Sequence, residues 1–209
     1  MRRLAASIGI ICWTLSAAVA AKATFTSTWR APDAGNVAFA GKKVVGMIVS
    51  NDMSLRISSE EALARELTSK GVQGLAAYKV IPREEIRDKD TVKAWFERTG
   101  AAGVVVLRLV DLSKETSPSV VAWQSMPYYG SFGAYYPYAW GATIDLTPAS
   151  ARTDVTFVVE TLIFDVGGDK LLWAGTSEST NPKGAQALIK DIVDAAVERM
   201  TKDGLIRRR

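Results

Sequence analysis

Histidine is absent from the chain. Mechanisms that use imidazole as general base, as partner to a nucleophile or as metal ligand are therefore closed to it. Cysteine occurs once, as Cys12, inside a segment read below as removed on export. That leaves a mature chain with no thiol nucleophile, no disulfide and no sulfur ligand. None of the serines stands in a Gly-x-Ser-x-Gly frame. Gly100 and Gly103 precede a strand rather than join a strand to a helix, so no phosphate-cradling loop is present. The mixed run Arg83, Glu84, Glu85, Arg87, Asp88, Lys89, Asp90 lacks the ordered ligands and glycine of a calcium loop and reads as a solvated surface. No catalytic residue, cofactor or metal is expected, and the protein is expected not to be an enzyme.

What is present is an ordinary globular composition: 48% hydrophobic and 23% charged over 209 residues, enough apolar surface for one domain with appendages. Arg2 and Arg3, the uncharged run Leu4 to Leu15 and the small residues Ser16 to Ala21 form the three parts of a secretory signal peptide, residues 1–21, with cleavage near Ala21. The apolar run is short for a membrane-spanning helix, which needs about 20 residues. A lipid anchor at Cys12 is argued against by the bulky Ile11 before it. The expected location is the periplasm or the exterior. The formal charge is +4, from 26 basic and 22 acidic residues; it falls to +2 without Arg2 and Arg3, and to −1 without Arg207, Arg208 and Arg209. The folded body is thus not basic, and nucleic acid is not an expected partner. The basic tail, 207–209, leaves a peripheral membrane contact as a lesser reading.

Residues 22–41 read as an extended lead-in, followed by a single domain over 42–206. Lys43 to Ser50 is a β-branched strand, and Met53 to Lys70 a helix with a Leu63/Leu67 stripe, a Ser58/Glu61 capping pair and Gly71 at its end. Val72 to Ile81 reads as a second strand, Pro82 to Ile86 as a helical turn, and Asp90 to Thr99 as a helix burying Val92, Trp95 and Phe96. Gly103 to Asp111 is a third strand. Such βαβαβ spacing predicts a largely parallel sheet. Asp154 to Asp165 and Lys170 to Ser179 then flank Gly167-Gly168 as an antiparallel hairpin. A last helix runs from Gly184 to Asp203, with Leu188, Ile192, Ala195, Ala196, Arg199 and Met200 on one face. The fold class is α/β with an α+β tendency: a mixed sheet in two or three layers.

Two features carry the functional expectation. The first is the insert 113–152, whose segment Met126 to Gly141 concentrates Tyr128, Tyr129, Phe132, Tyr135, Tyr136, Tyr138 and Trp140 among glycines and prolines. Glycine and proline argue against a regular helix there. Tyrosine-rich segments suit recognition, so association with an envelope protein or a second copy, packing back onto the sheet, and sugar stacking all remain open. The second is Arg108 and Glu160, charges embedded in apolar strands that would meet if those strands are neighbours.

The run Lys43 to Asp111, the hairpin ending Lys170-Leu171-Leu172-Trp173-Ala174-Gly175, Asn181-Pro182 and the helix closing at Gly204-Leu205-Ile206 resemble uncharacterised secreted or lipid-anchored proteins of Gram-negative bacteria, which often carry a similar Tyr/Gly/Trp-rich insert. More distantly the layout is similar to the α/β domain shared by TolB's amino-terminal part and CsgG. The resemblance implies an envelope accessory or assembly role, and it carries over no catalytic residue. The expected function is non-enzymatic binding or assembly in the envelope through the insert. The alternatives are a carboxylate-dependent hydrolase of envelope material, using Glu160 or Glu178, and a structural subunit of a homo-oligomer.

Overall fold

The computed structural model describes residues 22–34, 39–113, 129–143 and 155–202. The expected signal peptide with Cys12, the basic tail and Tyr128 lie outside the described residues. Six strands form one sheet in the order β1-β6-β5-β4-β2-β3. β2 (Lys43–Val49) lies parallel to both β3 (Gln73–Ala76) and β4 (Ala101–Ser113). β5 (Thr156–Asp165) and β6 (Lys170–Thr180) form the antiparallel hairpin, and β5 also runs antiparallel to β4. The sheet is therefore mixed, with its parallel character confined to β3, β2 and β4. It belongs to the α/β class.

Alternation along the strands divides the core between the two faces. Val44, Ile48, Val105, Leu107, Ile163 and Trp173 face α1 (Met53–Ser69) and α5 (Ala185–Lys202). Val45, Met47, Val104, Val106, Leu162 and Phe164 face the other layer. That layer holds α2 (Ala77–Val80), α3 (Lys89–Arg98) and α4 (Phe132–Gly141). On α5 the buried positions are Ile189, Ile192, Val193, Ala196 and Met200; Arg199 is exposed and belongs to the outer face. α1 lies so close to β3 that a Cβ on Gly74 would stand 2.1 Å from the Ala64 carbonyl oxygen. Only glycine fits there without moving backbone.

Four sequence expectations change. Residues 22–41 do more than lead in: β1 (Thr24–Arg30) joins the sheet by pairing antiparallel with β6, and the ring of Phe25 packs edge-on to Trp173 at 5.2 Å. The domain thus begins before residue 42. α1 starts at Met53 as expected, but its cap is Asp52, which accepts from the amides of Ser54 and Leu55, so Ser58 and Glu61 lie inside the helix and are no capping pair. The strand expected over 72–81 stops at Ala76 and turns into α2. Finally, residues 132–141 of the insert are helical despite Pro137.

Candidate functional site: the seat of the aromatic insert

α4 forms because its apolar residues recur at helical spacing. Phe132, Tyr135, Tyr136, Ala139 and Trp140 all lie on one face and are all buried. Ser131 caps the helix by accepting from the Ala134 amide at 3.1 Å. Pro137 falls on the exposed side, where water can replace the lost intrahelical bond. This pattern was present in the sequence, but the glycine and proline content obscured it.

Beneath α4 lies a buried polar cluster. Arg108 and Glu160 are register partners on β4 and β5, 5% and 2% exposed, with Nε 2.9 Å from Oε2. The insert supplies further hydrogen bonds to both members of the pair. The Tyr135 hydroxyl donates to Glu160 Oε2 at 2.8 Å, and the Tyr129 hydroxyl donates to Oε1. Arg108 Nη1 donates to the Ala142 carbonyl at 3.1 Å and Nη2 to the Tyr138 hydroxyl at 3.4 Å, and its guanidinium lies 5.0 Å from the centre of the Tyr138 ring. Burial, and after it the Glu160 charge, pushes the Tyr129 and Tyr135 hydroxyls well above the usual phenol range. For Arg108, burial opposes the charge, yet Tyr135 and Glu160 outweigh it and hold the guanidinium firmly protonated. Arg108 stays charged and the Tyr129 and Tyr135 phenols stay protonated across the ordinary pH range, so both phenols act as donors. Glu160 faces a guanidinium and two phenols rather than a second carboxylate.

The apolar half of the seat surrounds Phe132. Its ring lies 5.3 Å from Phe96 of α3, 5.7 Å from Phe164 of β5 and 5.0 Å from Tyr136. The Tyr136 hydroxyl donates to the Ile86 carbonyl, and burial raises its pKa above the ordinary value. The two ends of the helix are fastened by residues that were not singled out from sequence. Asp169, in the β5–β6 turn, accepts from the Phe132 amide at 3.1 Å and pairs with Lys93 at 3.2 Å. Asn51 donates to the Thr143 hydroxyl at 2.9 Å and accepts from Arg87 at 2.8 Å, while Arg87 covers the Trp140 ring at 4.9 Å. These contacts join residues far apart in the chain, so no local motif announces them.

The structure therefore brings Tyr129, Tyr135 and Tyr138 together with Arg108 and Glu160, and places Phe132, Tyr136 and Trp140 in the adjoining core. All are buried except Tyr138, which is half-buried. For these residues, packing back onto the sheet is what the structure shows. Their rings are not a free recognition surface. The outward side of α4 instead presents Ala134, Pro137 and Gly141. Among the described residues no group of three or more potential ligands could hold a metal ion, and no helix is long and apolar enough to cross a membrane.

No protein-family model and no curated protein matches the chain. Solved structures do. The PelC dodecamer from Paraburkholderia phytofirmans is similar over 90% of this chain and 99% of its own, at 13% identity and a TM-score of 0.48; a point variant of the same protein gives 12% and 0.47. Lipoprotein GNA1162 from Neisseria meningitidis is similar over 77% of this chain and 99% of its own, at 14% identity and a TM-score of 0.38. The chain is thus similar, at low identity, to a dodecameric protein and to a lipoprotein.

Proposed function

We propose that this is a non-enzymatic protein of the bacterial envelope, exported by removal of residues 1–21, which acts by association with a second copy or another envelope protein through the outward side of its insert. The reading includes the distant fold-level likeness to the TolB and CsgG α/β domain. One observation carries it: the aromatic side chains of the insert clamp α4 to the sheet over the Arg108–Glu160 pair, and what faces outward is uncharged. No residue between Glu115 and Asp145 is charged, and Ala134, Pro137 and Gly141 lie exposed. Depletion of charge at the centre is the compositional mark of protein interfaces, and a rigidly seated helix spares the ordering cost that a loose loop would incur on binding.

The test is in-cell photo-crosslinking in the exported protein, with the crosslinking residue at Pro137 or Ala134. A discrete adduct is expected, either to a second copy or to another envelope protein. The control is Lys190 of α5, an exposed position on the sheet face opposite α4, where no such adduct should form. Folded, exported protein that yields no adduct from Pro137 or Ala134 would overturn the reading.

A further inference from the structure

β3 is shorter than its neighbour. It pairs with β2 only from Lys43 to Gly46, while β2 continues to Val49. β2 is also where the winding reverses: the chain leaves it through α1 on one face to reach β3, and returns through α2 and α3 on the other to reach β4. In open α/β sheets the crevice outside the carboxyl end of such a strand is where ligands bind. Glu60 of α1, fully buried, accepts the Ile48 amide on Oε1 at 3.2 Å and the Tyr78 amide on Oε2 at 2.6 Å. One carboxylate thus stands in for the missing strand end, and both its oxygens are committed to backbone. Arg56, one turn earlier on α1, is only 3% exposed and places Nε 3.2 Å from Glu60 Oε1. The approach is not along a hydrogen bond, and Nε is buried without a partner. Among the described residues the two terminal nitrogens of Arg56 also meet no acceptor, but unlike Nε they are not sealed from solvent. An arginine carries five N–H donors, and native folds rarely leave such donors unmet once they are buried.

We propose that Arg56 anchors an oxyanion site in this crevice, where its terminal nitrogens hold a phosphate or carboxylate group and Arg87 supplies a second positive charge. The guanidinium fork matches the paired oxygens of either group and keeps its proton at any ordinary pH. Arg87 comes from the other face of the sheet. It is exposed, donates through Nη2 to Asn51 at 2.8 Å and covers the Trp140 ring at 4.9 Å. The Tyr136 hydroxyl of α4, which donates to the Ile86 carbonyl, feels the charges of Arg56, Glu60 and Arg87, two positive against one negative. Asp52, one turn before Arg56, is spent on the Ser54 and Leu55 amides. With two carboxylates nearby, the ion is held by the geometry of the unmet donors more than by net charge. Glu60 does not meet those donors, because its own oxygens face the Ile48 and Tyr78 amides.

Titration of the mature protein with inorganic phosphate and with acetate tests this, in chloride buffer held at constant ionic strength and followed by nuclear magnetic resonance. The Arg56 Nε–H signal should shift and saturate with at least one of the two ions, with a Kd of about 1 mM or tighter. Saturation by phosphate alone points to a phosphorylated ligand, and by acetate alone to a carboxylate. In Arg56→Gln the affinity should fall by about tenfold or more. Arg56→Lys, which keeps the charge and loses the fork, should also bind more weakly than the wild type. Shifts that never saturate, saturation confined to exposed lysines and arginines, or undiminished affinity in Arg56→Gln would overturn the proposal and leave water as the partner of these donors. If neither variant folds, the wild-type Arg56 signal decides. Saturation there supports the site, and its absence refutes it.

Discussion

Among the described residues there are two buried Arg–Glu pairs, and they are built differently. Arg108 and Glu160 stand 52 residues apart on neighbouring strands, and tyrosine side chains of the insert hydrogen-bond to both. Arg56 and Glu60 lie one turn apart on α1, and Glu60 is satisfied mainly by backbone amides where a strand ends. The first pair fixes where a long excursion docks. The second repairs a local shortfall of backbone acceptors. A buried ion pair gives little net stability over an apolar replacement, but it penalises any arrangement that leaves one charge unpaired. The two pairs therefore act more as specifiers of arrangement than as sources of stability.

The largest effect should come from breaking the inter-strand pair. Glu160→Ala leaves Arg108 buried without its counter-charge and removes the acceptor of two phenols; about 3–5 kcal/mol should be lost in urea unfolding. The joint replacement Arg108→Met with Glu160→Leu should recover most of that loss, and failure to do so would show that the tyrosine contacts matter more than the charge. Glu60→Ala comes next, at about 2–3 kcal/mol at pH 7. It orphans the amides of Ile48 and Tyr78. Tyr135→Phe removes one donor from Glu160 while keeping the ring, and should cost about 1–2 kcal/mol with no change in secondary structure by circular dichroism. At the bottom, Asp194→Ala on α5 breaks partly exposed pairs with Lys70 and Lys190 and should cost no more than about 1 kcal/mol, less in high salt. A larger loss there would blur the contrast between buried and surface pairs.

Much of the layout was readable from local pattern. The hairpin around Gly167-Gly168, the parallel run through β4 and the meeting of Arg108 with Glu160 follow from apolar runs, turn residues and the cost of burying a lone charge. Sequence reasoning misjudged elements whose state depends on partners elsewhere. The polar alternation of 24–30 resembles a loop until β6 supplies the opposing edge. Residues 77–80 carry strand-like residues but fold as a helical turn, because Glu60 from α1 meets the amides that a longer strand would have used. In α4 the helical spacing of Phe132, Tyr135, Tyr136, Ala139 and Trp140 was legible, yet Pro137 and the glycines weighed against it.

The sequence by itself determined the absence of histidine, the α/β order of the main elements and the presence of an aromatic insert with an uncharged stretch from 116 to 144. Those properties reside in residue types and in periodicities a few positions long. Only the tertiary structure decided that the insert's aromatic rings turn inward, that Arg108 and Glu160 are roofed by three tyrosines, and that Glu60 completes a truncated strand. Each of those outcomes rests on satisfying a buried polar group across a long sequence separation or between adjacent elements, and that demand exists only once the sheet has formed and water has been excluded.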